Sequence, residues 1–176
     1  GRVAYARRDY GLLIDFAKSL LSQETLSVEP TFVIAGGISG DEGKRFMDDL
    51  ASQNLLKYFE CPCISLTSDG APFMSYEQLF SCLLGSDLAV SNSLAVKGDY
   101  TKVSGAINLC INFQLPVLYL NDYPLYSEFK DMASIIIDSC DQSQVSAFAN
   151  EMPQLVVQKR KETHLLKDSM EQWNQQ

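Results

Sequence analysis

The feature that most constrains the fold is a repeated alternation of short apolar runs with longer stretches of helical periodicity. Short apolar runs bounded by turn-forming residues are typical of buried strands. Such strands are predicted at Val3–Ala6, Thr31–Ala35, Cys63–Leu66, Asp87–Ser91, Pro116–Leu120 and Ser134–Asp138. Helices are predicted between and after these strands. The first is capped by Asp9 and turns Leu13, Phe16, Ala17 and Leu20 inward. The others are Asp41–Tyr58, Tyr76–Leu84, Thr101–Phe113 and a helical tail from Gln142, which Pro153 is expected to interrupt.

This alternation predicts an α/β domain with a doubly wound, mainly parallel, six-stranded Rossmann-like sheet and helices on both faces. The length of 176 residues fits a single domain spanning 1–176. In such sheets ligands bind outside the carboxyl ends of the strands. Functional residues are therefore expected in the loops that follow the strands.

The chain is acidic, with a net charge of -8 and a pI of about 4.6. Such a surface repels a phosphate backbone, which argues against broad nucleic-acid binding. A phosphate-containing ligand would need a local pocket of basic side chains or backbone NH groups. No apolar stretch reaches the roughly 20 residues of a membrane span. The five cysteines lack zinc-site spacing and fit reduced thiols, so the chain is predicted to be cytoplasmic.

Two arginines follow the first predicted strand. Arg7 and Arg8 precede the helix that begins after Asp9, and cations at a helix N-terminus are unfavourable unless an anion fills the site. Arginine offers paired donors to phosphate, which favours a phosphate site. The alternative is a solvated pair tied to Asp9.

A glycine pair, Gly36–Gly37, follows the second predicted strand. The residues around it match neither a P-loop nor the dinucleotide-binding glycine fingerprint. The pair either lets a ligand approach the backbone closely or only permits a tight turn.

The loop after the fourth predicted strand, Ser91–Gly105, is long for a strand-to-helix connection, where roughly 2–6 residues are usual. Thr101 is predicted to cap the following helix, and Ser104 lies three residues on. Lys102 adds positive charge where a helix presents unpaired NH groups, an arrangement that suits a diphosphate. Gly105 either leaves room for that ligand or lets the helix pack tightly on the sheet.

The sequence contains no nucleophilic triad. The single histidine, His164, is predicted to lie on the surface of the tail helix, and Asp48 and Asp49 are predicted to be solvated. The tail also carries an apolar stripe that either packs on the core or docks on another domain. Its members are Leu166, Met170 and Trp173.

In their order and spacing, these segments resemble the C-terminal, donor-binding domain of GT-B glycosyltransferases of the family 4 kind. The resemblance covers essentially the whole chain, from a basic loop and a glycine turn to a donor-site loop and helix. The matching segments are Gly1–Val3, Arg7–Arg8, Leu12–Ile14, Phe32–Gly37, Tyr76–Phe80, Ser86–Val90, Tyr100–Ala106 and Leu115–Val117.

The resemblance implies that this chain binds a nucleotide-sugar donor, that an absent N-terminal domain binds the acceptor, and that no metal or other cofactor is needed. The base is expected near Thr67–Pro72. The family carries two glutamates, eight positions apart, that are expected to contact the donor, and this chain has Lys97 and Gly105 at those positions. The second hypothesis is therefore that the chain is a non-catalytic scaffold or partner domain that kept the fold but lost the donor chemistry. The expected donor-binding residues are Arg7, Arg8, Gly36, Gly37, Tyr100, Thr101, Lys102, Ser104 and Gly105.

Overall fold

The computed structural model describes residue 3 and residues 8–26, 28–65, 74–91, 105–120, 134–137 and 141–173. Over these residues the chain is a mixed α/β protein, as predicted. The helices are α1 (Tyr10–Leu21), α2 (Gly40–Ser52), a short 3-10 helix (Leu56–Tyr58), α3 (Tyr76–Gly85), α4 (Gly105–Asn112) and α5 (Gln142–Trp173). The strands are β1 (Phe32–Val33), β2 (Ile38–Ser39), β3 (Phe59–Glu60), β4 (Ile64–Ser65), β5 (Ala89–Ser91), β6 (Val117–Leu120) and β7 (Ser134–Ile137).

The described strands pair in parallel and form two groups. In the first group β1 pairs with β3 and β2 with β4. Two further bonds continue this pairing, from the Ile34 amide to the Glu60 carbonyl (2.9 Å) and from the Ile38 amide to the Cys63 carbonyl (2.9 Å). In the second group β6 lies between β5 and β7.

Val3 lies beside the first group. The amide of Val3 donates to the carbonyl of Gly37 at 2.8 Å, whereas the next amide, that of Ile38, donates to Cys63. Neighbouring residues of an extended chain point their polar groups to opposite sides. Val3 and Cys63 therefore flank the 32–39 segment on its two sides.

These pairings correct the prediction of one six-stranded sheet. The described strands form two parallel groups and no single six-stranded sheet. The second and third predicted strands correspond to β1 and β4, and each has a further short strand next to it along the chain: β2 follows the second, and β3 precedes the third. Gly36 donates to the Ile34 carbonyl at 2.8 Å in a tight turn between β1 and β2. Pro62, which has no NH group for a ladder bond, lies between β3 and β4. Of the first predicted strand, residues 4–6 lie outside the described residues, as does Asp138 of the sixth.

Helix starts follow the local signals in the sequence. Asp9 caps α1 as predicted, because its carboxylate accepts from the Leu12 amide at 2.9 Å. Ser75 and Gln78 form a reciprocal capping box at the start of α3, which begins at Tyr76 as predicted.

Two helices end earlier than predicted because a residue adopts a left-handed conformation. Asn54 (φ 57°) ends α2, and the Leu55 amide bonds back to the Leu50 carbonyl at 2.9 Å. Gln114 (φ 55°) ends α4 in the same way, with the Leu115 amide on the Cys110 carbonyl at 2.8 Å. Both are Schellman endings, which satisfy carbonyls that the helix leaves unpaired. The predicted start of the donor helix, Thr101, lies outside the described residues.

The predicted interruption at Pro153 is wrong, since the 32-residue helix α5 runs through it without a break. The proline ring is exposed, and the only backbone donor it removes is its own. Buried side chains on both sides of it, Phe148 and Val156, hold the two halves of the helix against the protein.

Strand β6 shows that the second sheet is covered on both faces. Leu118 and Leu120 belong to the larger core with residues of α1, α2 and α5. Val117 and Tyr119 belong to a separate cluster with Cys110 of α4. All four β6 residues are buried, as expected for a strand between two layers of helices.

The larger core also links the two strand groups. Phe46 of α2 contacts Tyr10 of α1 (ring centroids 5.0 Å apart) and Phe59 of β3 (6.2 Å). Val3 is 1 % exposed in the same cluster as Leu118. Among the described residues, no helix is both long and apolar enough to cross a membrane.

Candidate functional site

The parallel strands fix the edge at which a ligand site is expected. Since β5 and β6 run in the same direction, their carboxyl ends, Ser91 and Leu120, lie at one edge. The chain leaves β5 at Ser91 and the described structure resumes at Gly105, the first residue of α4. Arg8 directly precedes the cap of α1.

The predicted donor-binding residues fall into two sets. Arg8, Gly36 and Gly37 are described, and Gly105 is described as the first residue of α4 without its surroundings. The others lie outside the described residues, so their positions stay predictions: Arg7, Tyr100, Thr101, Lys102 and Ser104.

Arg8 is half-buried at the N-terminal end of α1. Its backbone takes part in a β-bridge, whereas its guanidinium forms no hydrogen bond or ion pair with another described residue. Its neighbour Asp9 is engaged with the helix, where the carboxylate accepts from the Leu12 amide. Asp9 thus supplies negative charge of its own to the helix end, which removes part of the electrostatic need for a bound anion at that point.

Gly36 and Gly37 are buried, and their backbone groups are used within the fold. The Gly36 amide closes the turn onto Ile34, and the Gly37 carbonyl accepts from Val3. These bonds agree with the interpretation of the glycine pair as a tight turn, here next to Val3, rather than as a point of close approach for a ligand.

The N-terminus of α2, which follows this turn, is a poor anion site. Asp41 and Glu42 occupy its first turn, and their carboxylates already complement the positive end of the helix dipole. Its capping residue, Ser39, makes no side-chain bond to the helix, and Gly40 begins the helix at φ +62°. The N-termini of α1 and α4 are those at which described members of the predicted donor-binding set, Arg8 and Gly105, lie.

Sequence reasoning missed the role of Gly43 on α2. A Cβ atom at this position would lie 3.0 Å from the carbonyl carbon of Ile38 and 3.0 Å from its Cγ2 atom. The missing side chain therefore lets α2 pack directly against β2. The signal that could have located it is the glycine itself, because a glycine inside a helix often marks a close approach of the backbone to another element.

Arg160 was also missed. From α5 its guanidinium donates to the Ser86 carbonyl at 2.7 Å and lies 3.3 Å from a carboxylate oxygen of Asp87. Ser86 and Asp87 belong to one of the segments that resemble the glycosyltransferase family. In the structure their contacts with Arg160 connect α5 to the residues just before β5. Nothing in the spacing of the sequence pointed to this partner, which lies more than 70 residues away.

The described residues offer no obvious catalytic group. His164 is exposed on α5 as predicted, with Nε2 3.6 Å from a carboxylate oxygen of Asp168. Asp48 is exposed and Asp49 pairs with Arg45 at 3.8 Å, which agrees with their prediction as solvated residues.

The cysteines of the described chain are free thiols, as predicted. Burial raises the pKa of Cys61 and of Cys110 to about 11, so neither is a thiolate near neutral pH. No group of three or more side chains that could hold a metal ion occurs among the described residues.

Comparison with profiles of known protein families gives no match. Comparison with curated proteins gives no match either.

Proposed function

We propose that this chain is the donor-binding domain of a GT-B type glycosyltransferase, which holds a nucleotide-sugar while a second domain binds the acceptor. The observation that carries the proposal is the order of the strands. The Val3–Gly37 bond supports a first strand beside the second, and β5, β6 and β7 are neighbours in chain order.

In this proposal, the pairings belong to the two halves of a doubly wound, six-stranded sheet with the order third, second, first, fourth, fifth, sixth. In that order the connections reverse between the first and fourth strands, and ligands bind in the crevice at the reversal. Arg7 and Arg8 follow the first strand, and the Tyr100–Gly105 segment follows the fourth. The two most basic of the candidate loops would therefore flank the same crevice.

The chemistry of glycosyl transfer suits such a crevice. Negative charge grows on the diphosphate as it leaves the sugar. Cationic groups and helix NH groups aimed at that charge stabilise the transition state more than the ground state. In this proposal Arg7, Arg8 and Lys102 supply the cations, and the N-terminus of α4 supplies the NH groups.

A half-buried guanidinium at this edge supports the proposal. The side chain of Arg8 has no partner among the described residues, and a half-buried guanidinium with several donors gains from a bidentate anion. The first turn of α2 carries two carboxylates, whereas that of α1 carries none beyond its cap Asp9, which favours the crevice between the first and fourth strands.

The second candidate is a non-catalytic domain that kept the fold and serves as a scaffold or partner. Two observations favour it. The carboxylate of Asp9 already satisfies the start of α1, and the positions at which the resembled family carries glutamates hold Lys97 and Gly105.

Calorimetric titration with UDP, GDP and ADP, each with and without magnesium, distinguishes the two candidates. The donor-domain proposal predicts that one nucleotide binds and that Lys102→Ala or Arg8→Ala weakens binding at least tenfold. Lys44→Ala, which removes an exposed cation from α2, is the matched control and should leave binding unchanged. Absence of binding to all three nucleotides in a folded sample would favour the scaffold.

A further inference from the structure

Two cysteine side chains lie between helix α3 and the first strand group. Cys63 directly precedes β4 and is 7 % exposed, although it belongs to neither of the two core clusters formed by described residues. Cys82 lies on α3 and is partly buried. Both are free thiols, so each carries a sulfur atom that neither the fold nor the proposed function uses.

The segment before β4 places Glu60 and Cys63 on the side toward α3. Phe59 and Cys61 pack in the larger core, whereas Glu60 between them is exposed, because neighbouring side chains of a strand alternate between its two faces. The pKa of the Cys82 thiol is raised first by burial and then by the negative charges that Cys63 and Glu60 carry when ionised. Both groups therefore lie close to Cys82, whereas Cys61 packs into the core on the other side of the strand.

Helix α3 turns Cys82 toward the strands. Leu79, Cys82 and Leu83 are partly buried and lie three or four residues apart, which places them on one face of the helix. Leu83 contacts the cluster that covers β6 on the α4 side, whereas Leu84, on the outer face, is 73 % exposed. The inner face of α3 therefore brings Cys82 to the side of the sheet on which Cys63 lies.

The difference in exposure sets the order in which the two thiols react with a small disulfide such as oxidised glutathione. The thiolate of the more accessible Cys82 attacks one glutathione sulfur, which releases one glutathione thiolate and leaves a mixed disulfide on Cys82. The thiolate of Cys63 then attacks the Cys82 sulfur and releases the second glutathione. One disulfide is consumed and one is formed, and the protons of the two protein thiols end on the two released glutathione molecules.

We propose that Cys63 and Cys82 are a redox-active thiol pair, which a small disulfide converts into a covalent bridge between α3 and the start of β4. A disulfide needs Cα atoms about 4.4–6.8 Å apart, so the bridge forms only where α3 lies directly on this part of the strand. The proposal is independent of nucleotide binding, since neither cysteine is among the candidate donor-binding residues.

The full chain is incubated with oxidised glutathione, and its thiols are counted by mass spectrometry after alkylation in urea. Because the raised pKa of Cys82 leaves little thiolate at neutral pH, the reaction is run at pH 8.5. The chain has five cysteines and should keep three thiols without gaining glutathione. A protease that cuts after glutamate separates the two cysteines at Glu77, so their peptides should stay joined until a reductant is added.

Cysteine-to-serine variants assign the bridge. Cys82→Ser should form no bridge, whereas Cys61→Ser, the matched control two residues from Cys63, should form it at the rate of the parent chain. Cys82 is only partly buried, so its serine variant should keep the circular dichroism spectrum of the parent chain. The proposal is overturned if the parent chain keeps five thiols, if Cys82 stops at a stable mixed disulfide with glutathione, or if Cys82→Ser loses two thiols as readily as the parent chain.

Discussion

Replacing Gly43 by alanine tests how closely α2 packs on β2. The added Cβ atom would lie 3.0 Å from the backbone carbonyl carbon of Ile38, well inside the ordinary van der Waals distance of about 3.5–4.0 Å between carbons. Backbone cannot rotate away as a side chain does, so α2 must shift. Overpacking of this kind costs about 1–3 kcal/mol, whereas alanine gains about 1 kcal/mol over glycine within a helix.

Together these two effects predict that Gly43→Ala loses about 0–2 kcal/mol in the free energy of unfolding. Urea denaturation followed by circular dichroism measures it, with Gly85→Ala as the matched control. Gly85 is the last residue of α3, and a Cβ there meets nothing within 4 Å, so its replacement should be neutral or stabilising. A Gly43→Ala variant about 1 kcal/mol more stable than the parent chain, which is the gain expected from helix propensity alone, would refute the close packing of α2 on β2.

Three further predictions follow from the caps and thiols. Asp9→Ala should lower stability by about 1 kcal/mol through loss of the α1 cap, seen as a fall of roughly 2–4 °C in the melting temperature, whereas an unchanged melting temperature would contradict the cap. The Ser143 hydroxyl and nearby amides lower the pKa of Asp141 below its ordinary 3.8, so the stability that Asp141 contributes is present above pH 3.8 and is lost as the pH falls through the lowered pKa. Asp141→Asn should therefore make unfolding less sensitive to acid, and a variant with the acid-unfolding profile of the parent chain would contradict this role. Because burial raises the pKa of Cys61 and Cys110 to about 11, iodoacetamide at pH 7.5 should alkylate both far more slowly in the native protein than in urea. Mass spectrometry measures the two rates, and equal rates would contradict the burial of these thiols.

The helix starts were predictable from sequence because their signals are local. Asp9 and Ser75 are short polar residues directly before apolar helical periodicity, and each bonds to an amide within the next three residues. The ends of α2 and α4 were less predictable. Asparagine tolerates a left-handed conformation, so Asn54 was a local signal for the end of α2. Glutamine rarely adopts this conformation, so the end of α4 at Gln114 is revealed only by the packing of Leu115 in the folded protein.

Long-range features escaped the sequence for a different reason. The bond from Arg160 to Ser86 and the close approach of Gly43 to Ile38 depend on how separate elements meet, and no local pattern encodes such meetings. Of the candidate site, the sequence predicted which loops follow the strands. The structure adds that Gly37 is used by the fold itself, through its bond to Val3.

The central claim is that a nucleotide diphosphate binds in the crevice between the first and fourth strands. An NMR titration of the isotope-labelled chain with the nucleotide that binds most tightly tests it most directly, because each amide reports its own surroundings. The account predicts that the largest shifts fall on Arg8, Asp9 and the amides at the start of α4, including Gly105. Shifts concentrated instead on α3 or on the start of α2 at Asp41, or no shifts in a folded sample, would contradict it.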